Sequence, residues 1–353
     1  MRVLARAARA EAPAHAYLIT GPAHVGKHTL ARELAAALNC QAAPEERPCH
    51  ACASCRMTLR EAHPDFTVVE RTEERRLRVE DVRDARGSVD WRPYQGRFKV
   101  YLFPEADDWG NVDASSSALL KTIEEPPPQV VIVLTATSVE TMPITVVSRC
   151  RSVPLQPVAP PALSTGLQEL YGAPPETARR LAALSNGRPG WAIDALSTPE
   201  LVARREEEIS QVVALSEGPL GARLLLAGEA CRGGNFLESR ALCLRVLEDM
   251  TAWWRDLLIV SSTLDGAPAG RASYRTPALP DHVRALGASD TSDAFMSGVL
   301  THTDRRDELE RQASRRGRAK IARGLREIEV TAGAVERNVR PRLALEALVL
   351  RLN

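Results

Sequence analysis

Residues 21–28 read GPAHVGKH and match three of the four fixed positions of the phosphate-loop pattern G-x-x-x-x-G-K-[ST]. In that pattern, backbone N–H groups surround the phosphates, the lysine meets their charge, and the last hydroxyl ligates Mg²⁺. Gly21, Gly26 and Lys27 are present, but His28 occupies the hydroxyl position. Imidazole is a poor ligand for a hard cation that prefers oxygen. The pattern therefore predicts a nucleotide-binding loop that has lost a magnesium ligand.

A second magnesium ligand is also missing. An ATPase of this kind carries an Asp for magnesium at the end of a buried strand, followed by a residue that orients the attacking water. Residues 98–103 are the expected strand, and Pro104 occupies the Asp position beside Glu105. A one-residue slip that brings in Asp107 or Asp108 is the alternative, although both lie past the expected strand end. Together, the two losses predict that the chain does not hydrolyse a nucleotide.

Four of the seven cysteines have the spacing of a metal site, C-x8-C-x2-C-x2-C: Cys40, Cys49, Cys52 and Cys55. Two residues between thiolates let a tight turn direct both sulfurs at one tetrahedral zinc, and four ligands close the shell. The site would therefore be structural. The alternatives are that Cys40 is only a buried thiol, or that His50 or His63 replaces one ligand. The other cysteines are isolated in the sequence and predicted to be small buried side chains: Cys150, Cys231 and Cys243.

The segments around these motifs predict a parallel α/β sheet. The apolar run 16–20 precedes the phosphate loop, and the alanine- and leucine-rich stretch 29–38 follows it as a helix. This strand–loop–helix order is the context that a phosphate loop requires. Two more buried strands are predicted at 98–103 and 130–135, with helices between them.

The composition fits an ordinary globular chain and excludes several classes of protein. The 353 residues are 44% hydrophobic and 26% charged, and a net charge of +1 gives no sign of a bulk polyanion-binding surface. No apolar run approaches the roughly 18 residues that span a bilayer, and no signal peptide is evident. We therefore expect a cytoplasmic, reducing location, where clustered cysteines bind metal. Only four of the 46 basic residues are lysines, which we interpret as a codon bias.

Further motifs occur in a fixed order along the chain: His63-Pro64-Asp65, Lys99-Val100-Tyr101, ALLKTIEEPP at 118–127 and Ser148-Arg149-Cys150. With the phosphate loop and the four cysteines, they resemble the bacterial clamp-loader subunits of the AAA+ class, most closely the delta-prime subunits of DNA polymerase III. The resemblance is dense over residues 15–155 and looser downstream, where 254–257 and 338–340 continue it. It implies an AAA+ phosphate-loop domain with a zinc module, then a small helical lid domain and an all-α collar domain.

The resemblance implies a role in trans for Arg149. In a clamp-loader ring, the Ser-Arg-Cys arginine of one subunit reaches the ATP that its neighbour holds, and its guanidinium stabilises charge developing on the γ-phosphate. A surface arginine at the end of the sheet is the alternative. Gly21, Gly26 and Lys27 could still hold ATP or ADP without turnover, whereas magnesium is not expected.

Four positions distinguish this chain from the ATP-hydrolysing gamma/tau subunits of that family: His24, His28, Pro104 and Gly190. The resemblance implies Gly, a hydroxyl, Asp and Arg at these positions in a motor subunit. Arg188 could replace the missing arginine, although Pro189 beside it disfavours a helical geometry. These departures predict a delta-prime subunit, a non-hydrolysing stator. Its expected partners are the gamma/tau and delta subunits, the sliding clamp and, through the assembled complex, primer–template DNA, with no membrane.

Prolines at positions 154–161 predict the first domain boundary. We expect the AAA+ domain at 1–156 with the zinc module at 40–55, the helical lid at 157–202, and the helical oligomerisation collar at 203–353. Residues 262–280 are predicted to form a long exposed loop.

One apolar stripe in the carboxy-terminal part predicts a long helix with a single buried face. Its members recur at steps of four and three: Ile321, Leu325, Ile328, Ala332, Val335 and Val339. Pro341 is expected to end this helix.

Two other functions remain open. A gamma/tau-like motor would need Thr29 and an acidic neighbour to restore magnesium binding. However, Thr29 would point about 100° away from the metal position, given 3.6 residues per turn. A zinc-dependent nucleic-acid-binding module would place the cysteines on DNA, which the near-neutral charge and the acidic stretch 70–80 disfavour.

Overall fold

The computed structural model describes residues 12–69, 92–107, 122–124, 128–264 and 300–352 of the chain. The chain divides into two compact units, Met1–Pro157 and Val158–Asn353. The described part of the first unit combines a sheet with helices, and that of the second is helical.

A five-stranded parallel sheet forms the first unit, in the order β2-β3-β4-β1-β5. Its strands are β1 Ala16–Thr20, β2 Phe66–Val68, β3 Lys99–Phe103, β4 Val130–Ala136 and β5 Arg151–Pro154. In the register of the central strands, Leu18 of β1 lies opposite Leu134 of β4 and Ser152 of β5. Every residue of β1 and β4 is buried, as expected where helices cover both faces of a parallel sheet. The predicted parallel α/β fold is confirmed.

Helix α1, Lys27–Asn39, begins directly after Gly26 and packs on the sheet. Leu30, Leu34 and Leu38 recur at steps of four and join one apolar cluster with residues of the strands. The described part of this unit also contains two shorter helices and a 3-10 turn: α2 Ala53–Leu59, α3 Ile144–Val147 and the turn Pro44–Glu46. Residues 122–124 are also helical.

The second unit contains these described helices: α4 Pro160–Tyr171, α5 Pro175–Leu184, α6 Pro189–Ser197, α7 Pro199–Glu217, α8 Leu220–Ala230, α9 Phe236–Leu264, α10 Arg306–Arg316, α11 Arg318–Glu336 and α12 Pro341–Arg351. Thr303–Arg305 forms a 3-10 turn before α10. Five of these helices begin with proline, whose fixed φ and missing N–H suit the first helical position. None of the described helices has the length and hydropathy to span a membrane.

The predicted long helix exists as α11, but its end was predicted wrongly. Ile321, Ile328 and Val335 are completely buried, which confirms the apolar face. The helix ends at Glu336, and Asn338 then adopts a left-handed φ of 66° that closes it. Val339 lies beyond the helix and is 45% exposed. Pro341 starts the next helix rather than ending this one.

Two other sequence-based boundaries fall inside helices. Helix α7 begins at Pro199 and runs without interruption across residue 202, the expected end of the lid. Helix α9 continues to Leu264, so the first residues of the predicted loop 262–280 are helical. Residues 265–280 lie outside the described residues. The division into lid and collar stays a prediction.

A close approach between two helices depends on Gly324 in α11. A Cβ at this position would lie 2.1 Å from Cζ3 of Trp254 in α9, a distance that no real side chain could accept. Trp254 is 1% exposed, and its indole N–H donates to the hydroxyl of Ser216. Gly324 therefore lets the indole pack directly against the backbone of α11.

Buried arginines close helix ends in the second unit. The last carbonyls of a helix have no partner within the helix, and a guanidinium offers several donors in one plane. Arg223 donates to the carbonyls of Leu215 in α7 and Val349 in α12, at 2.6 and 3.1 Å. Arg205 donates to the carbonyl of Leu184, the last residue of α5. Codon bias can account for the number of arginines but not for these placements.

Arg205 also forms a two-pronged ion pair with Asp249, with N–O distances of 2.5 and 2.6 Å. The side chains are 2% and 4% exposed. Replacing Arg205 with Ala should therefore lower the free energy of unfolding by about 3–5 kcal/mol, because Asp249 would stay buried and unpaired. Denaturant titration of the helical circular-dichroism signal measures this loss.

The matched control is Arg204→Ala on the same helix. The Arg204 side chain is 69% exposed and pairs with Glu208 at 3.4 Å, so its loss should cost less than about 1 kcal/mol. An equal loss in both variants would show that the buried ion pair contributes no more to the free energy of unfolding than the exposed one.

Asp256 connects α9 to the start of the described segment 300–352. This fully buried carboxylate accepts hydrogen bonds from the backbone N–H groups of Thr301 and His302 at 2.9 and 2.8 Å. The His302 ring lies 2.9 Å away through Nδ1, and it packs edge-on against Trp253. One side chain of α9 thus holds three groups of Thr301 and His302.

Candidate functional site

The phosphate-loop residues lie between β1 and α1, as the sequence predicts. Gly21 has a φ of 148°, and a Cβ there would lie 2.6 Å from the carbonyl oxygen of Leu155. Gly26 has a φ of 98° and precedes the first residue of α1. Both values lie in the left-handed region that favours glycine. The two glycines of the pattern are therefore required by the backbone itself.

His24 adopts a φ of 60° in the middle of this loop. Glycine reaches this conformation freely, whereas a residue with a Cβ is disfavoured there. The loop thus holds a residue with a Cβ in a conformation that favours glycine.

The Lys27 ammonium is held inside the loop. Its Nζ donates to the carbonyl oxygens of Gly21 and Pro22, at 2.6 and 2.8 Å. A nucleotide phosphate bound here would compete with these two carbonyls for the ammonium. The lysine is therefore placed on the loop, where its charge can meet a phosphate.

His28 contacts a carboxylate instead of offering the hydroxyl ligand that the pattern requires. Its Nε2 lies 3.3 Å from a carboxylate oxygen of Glu61, which Arg32 also approaches at 3.6 Å. Glu61 follows the helix α2, so the His28 side chain links the start of α1 to the segment after α2. An imidazole engaged in this way supplies no hydroxyl ligand for magnesium.

The end of β3 also lacks a magnesium carboxylate in its expected place. The strand ends at Phe103, and Pro104 follows it directly. Asp107, the alternative, uses Oδ1 to accept hydrogen bonds from the Thr137 N–H and hydroxyl, both at 2.6 Å, and from the Thr141 hydroxyl at 2.7 Å. It fixes the segment after β4, which argues against the one-residue slip. Asp108 lies outside the described residues.

The four predicted cysteines come together at the carboxyl end of α1 and the start of α2. The sulfur atoms of Cys40, Cys49, Cys52 and Cys55 all lie within 4.8 Å of one another. Three of the sulfurs accept backbone N–H groups within the cluster, each at 3.4 Å. Four soft ligands in one small cluster suit tetrahedral zinc, so the donor set fits this metal.

Local N–H groups favour the thiolate form of Cys52. Burial alone would raise the pKa of this thiol, but hydrogen bonds from the backbone of Gln41 and Cys55 and from neighbouring thiols lower it to about 6. Cys52 also caps helix α2, where a negative charge is favourable. A thiolate is the form that ligates a metal.

Neither alternative histidine ligand joins the cysteines. His50 is exposed, and its Nε2 lies 2.8 Å from a carboxylate oxygen of Glu33. His63 is buried, with Nε2 beside the Ser54 hydroxyl at 3.1 Å and Nδ1 accepting the Asp65 N–H at 3.0 Å. Cys40 is part of the cluster and not a separate thiol. The geometry thus favours the four-cysteine set over both alternatives.

Asp65 has a structural role that the sequence analysis missed. Its carboxylate accepts the backbone N–H groups of Tyr94, Gln95 and Gly96, at 2.6 to 2.9 Å. Burial would raise its pKa, but these three donors lower it below the usual value for an aspartate. Asn39 holds the next residues of the same turn. The only sequence signal was the presence of Asp65 in the motif His63-Pro64-Asp65.

Arg149 lies one residue before the cysteine that precedes β5, and its side chain is 38% exposed. One guanidinium nitrogen donates to the Thr145 carbonyl at 2.9 Å, and the other lies 2.8 Å from a carboxylate oxygen of Glu124. Because both partners are partly exposed, the ion pair is worth at most about 1 kcal/mol. The guanidinium is therefore accessible and only weakly held within the chain.

Arg188, considered as a replacement phosphate contact, is 8% exposed within the helical unit. Its Nε donates to the Ser185 carbonyl at 2.8 Å. Burial, together with the nearby charge of Arg205, lowers its pKa. Gly190 lies in the first turn of α6. Arg188 is thus engaged inside its own unit, which disfavours the replacement role.

Two cysteines outside the cluster lie close together. Cys231 and Cys243 are buried, and their thiols share a hydrogen bond. The prediction of small buried side chains holds for both, and the fold brings these two thiols together although they are 12 residues apart in the sequence. Cys150 is only partly buried.

Several sequence features lie outside the described residues. They are residues 118–121 and 125–127 of the ALLKTIEEPP motif and the acidic stretch 70–80.

Solved structures of low identity align with the whole chain. A DNA polymerase III gamma-subunit-related protein from Thermotoga maritima is 16% identical, with a TM-score of 0.35, and the alignment covers 99% of this chain and 97% of that one. The Bacillus subtilis clamp-loader delta protein is 11% identical, with a TM-score of 0.32 and coverage of 99% and 98%. Because both TM-scores are below 0.5, the fold is described from the sheet and helices of this chain alone.

Curated relatives give closer matches. The tau subunit of DNA polymerase III from Salmonella typhimurium is 35% identical over 210 residues, which is 58% of this chain and 32% of the relative. The delta-prime subunit from Pseudomonas aeruginosa is 38% identical over 50% of this chain and 54% of its own length. The gamma/tau subunit from Mycobacterium tuberculosis is 28% identical over 96% of this chain and 56% of its own length. The chain spans about a third of the length of the first curated relatives it matches.

A family model described as "DNA polymerase III, delta subunit" matches residues 1–159. This range contains the phosphate loop, the cysteine cluster and Arg149, in the order that the motifs predicted. The same region carries the parallel sheet that positions them. On the motifs, the family model over residues 1–159 and the relatives together, the chain is similar to the DNA polymerase III clamp-loader subunits.

Proposed function

We propose that this chain is a delta-prime subunit of the clamp loader, a stator that does not hydrolyse ATP and supplies Arg149 to the ATP site of a neighbouring subunit. One observation carries the proposal: an accessible Arg149 coexists with the loss of both expected magnesium ligands, at His28 in the phosphate loop and at Pro104 after β3. The chain would thus have lost its own hydrolysis while keeping the group that serves another site.

The phosphate loop supports this division of roles. Gly21, Gly26 and Lys27 keep the backbone turn and the ammonium that a phosphate needs. However, His28 is engaged with Glu61, and Asp107 with Thr137. ATP or ADP could be retained on this loop without turnover, because phosphate binding and magnesium-assisted hydrolysis use different residues.

Arg149 would act by electrostatic stabilisation. During phosphoryl transfer, negative charge develops on the transferred group and the leaving oxygen, and a guanidinium placed nearby stabilises both. To reach a neighbouring subunit, Arg149 would give up its contact with Glu124. The exposed ion pair costs at most about 1 kcal/mol to break, which is small beside the stabilisation that such an arginine provides.

The cysteine cluster would hold a structural zinc. Four sulfur ligands leave no open position for water or substrate. The metal would join the end of α1 to the start of α2, and so connect the helix that follows the phosphate loop to the segment that carries Glu61. Its contribution is to shape and stability rather than to chemistry.

The proposed partners follow from the family. The gamma/tau and delta subunits would complete the ring, and the assembled complex would place the sliding clamp on primer–template DNA. The proposed location is the cytoplasm.

The gamma/tau relatives favour a second candidate, an ATP-hydrolysing motor subunit. This candidate requires that another group replace the two lost magnesium ligands. Thr29 is exposed on α1, one residue past the hydroxyl position of the pattern.

Purified alone with Mg²⁺ and ATP, the chain should show no turnover above that of its Lys27→Ala variant. The physical reason is the loss of both magnesium ligands. Phosphate release is the readout, measured after zinc content and folding have been checked. A gamma/tau subunit from the same organism provides the positive control. Turnover that depends on magnesium and disappears in Lys27→Ala would make this chain a motor.

A further inference from the structure

A strongly basic segment lies where α10 ends and α11 begins. Residues 311–326 contain seven basic residues and no acidic residue. Arg316 turns inward and lies over the Trp254 ring, 5.0 Å from its centroid, and Arg311 bonds to the backbone of its own helix. The other five are exposed and are called the basic surface here: Arg315, Arg318, Lys320, Arg323 and Arg326. In a chain of net charge +1, this concentration of charge must be offset elsewhere.

The helical geometry places most of these side chains together. Ile321, Gly324 and Ile328 form the buried side of α11. At 100° per residue, positions 318, 323 and 326 fall within about 140° on the opposite side. They extend over roughly 12 Å of the helix axis. Arg318, Arg323 and Arg326 therefore share one face of α11, whereas Lys320 lies beside that face and Arg315 lies at the end of α10.

The basic surface lacks the acidic partners that accompany other exposed arginines of this unit. Arg179, Arg306 and Arg342 each pair with a glutamate one helical turn away. Among the described residues, no ion pair involves any member of the basic surface. Its charge is thus available to an outside partner.

Helix stability does not explain the placement of Arg318 and Lys320. The amino-terminal end of a helix carries a partial positive charge, and basic residues in the first turn are unfavourable there. The first turn of α11 has no acidic residue, and Gly317 before it makes no side-chain cap. Arg318 and Lys320 therefore add charge where the helix already repels it.

The chemistry of the segment points to a phosphate backbone. Arginine and lysine provide the contacts that neutralise DNA phosphates. Residues 311–326 contain no aromatic side chain on which an unpaired base could stack, which argues against a single-strand site. At a rise of about 3.4 Å per nucleotide, 12 Å of helix matches three or four phosphates of one strand.

We propose that the basic surface binds the backbone of duplex DNA without reading its sequence. This contact would lie in the helical unit and would be separate from the nucleotide chemistry of the first unit. It does not depend on the role of Arg149, because no ATP is involved.

The test uses the full chain and a fluorescent duplex of about 30 base pairs, titrated at several salt concentrations from about 50 to 200 mM. Arg318, Arg323 and Arg326 are replaced together by Gln, which keeps helix propensity. The affinity at low salt should fall at least about tenfold. The slope of log affinity against log salt should fall by about two to three, since each lost phosphate contact contributes about 0.9.

The matched control replaces Arg179, Arg306 and Arg342 by Gln and removes the same charge from paired arginines. It should change the affinity less than about twofold, because those charges are already compensated. A second variant, Arg318→Lys with Arg323→Lys, keeps the charge and should bind DNA like the parent.

Equal losses in the two Gln variants would overturn the proposal, as would a parent chain without salt-dependent binding. A basic-surface variant that binds DNA normally but no longer assembles with clamp-loader subunits would assign the surface to an acidic protein instead. The assay contains no ATP, so its failure would leave the proposed stator function untouched.

Discussion

Replacing Arg149 with Ala is expected to lower ATP turnover at the neighbouring site by about 10³–10⁵-fold, while the clamp loader still assembles. The guanidinium would be the group that stabilises the transferred phosphate in a site that this chain does not itself contain. Removing it takes away that stabilisation without disturbing a buried contact, since the side chain is 38% exposed. Phosphate release from a loader reconstituted with the ATPase subunits of the same organism measures the effect.

Arg151→Ala is the control for this experiment. Arg151 is exposed on β5, two residues from Arg149, so its loss removes the same charge from nearly the same place. Turnover should change little in this variant. Size-exclusion chromatography of both complexes checks assembly. Normal turnover with Arg149→Ala in an assembled loader would rule out the role in trans and leave Arg149 as a surface arginine.

Removal of zinc is expected to have the largest effect on stability. The purified chain should contain one zinc per molecule, and a chelator should lower the unfolding temperature of the first unit. Structural zinc contributes about 10–16 kcal/mol in zinc-finger peptides. Cys55 is a fully buried ligand. Cys55→Ser should therefore lower the free energy of unfolding by more than a typical core truncation, which costs about 2–5 kcal/mol.

Cys150→Ser separates metal binding from the loss of a thiol. Cys150 is partly buried and lies outside the cluster, so this variant should keep its zinc and its unfolding temperature. Elemental analysis and thermal unfolding give the two readouts. A zinc-free chain of unchanged stability that had lost a specific DNA contact would support the DNA-binding zinc module.

Strong local patterns were sufficient to predict the centre of the sheet. The apolar runs at 16–20, 98–103 and 130–135 correspond to β1, β3 and β4 within one residue at either end. They are predictable because a parallel strand buried on both faces is apolar throughout. The strands β2 and β5 were not predicted. They are three and four residues long, form the two edges of the sheet, and contain exposed positions that interrupt an apolar run.

In the candidate site too, only features set by residues close in the sequence were predictable. Spacing alone predicted the phosphate loop and the cysteine cluster, because their members are close in sequence. The hydrogen-bond partners of Asp65 and Asp107 lie about thirty residues further along the chain. Arg149 and its partner Glu124 are also far apart in the sequence. Such contacts depend on how strands and loops meet in the fold. The end of α11 at Glu336 was missed because one left-handed residue, Asn338, decides it.

Asp256 joins two parts of the helical unit that lie far apart in the sequence. Its carboxylate accepts the N–H groups of Thr301 and His302, which are 45 and 46 residues further along the chain. One buried side chain of α9 thus fixes where the described segment 300–352 begins against that helix.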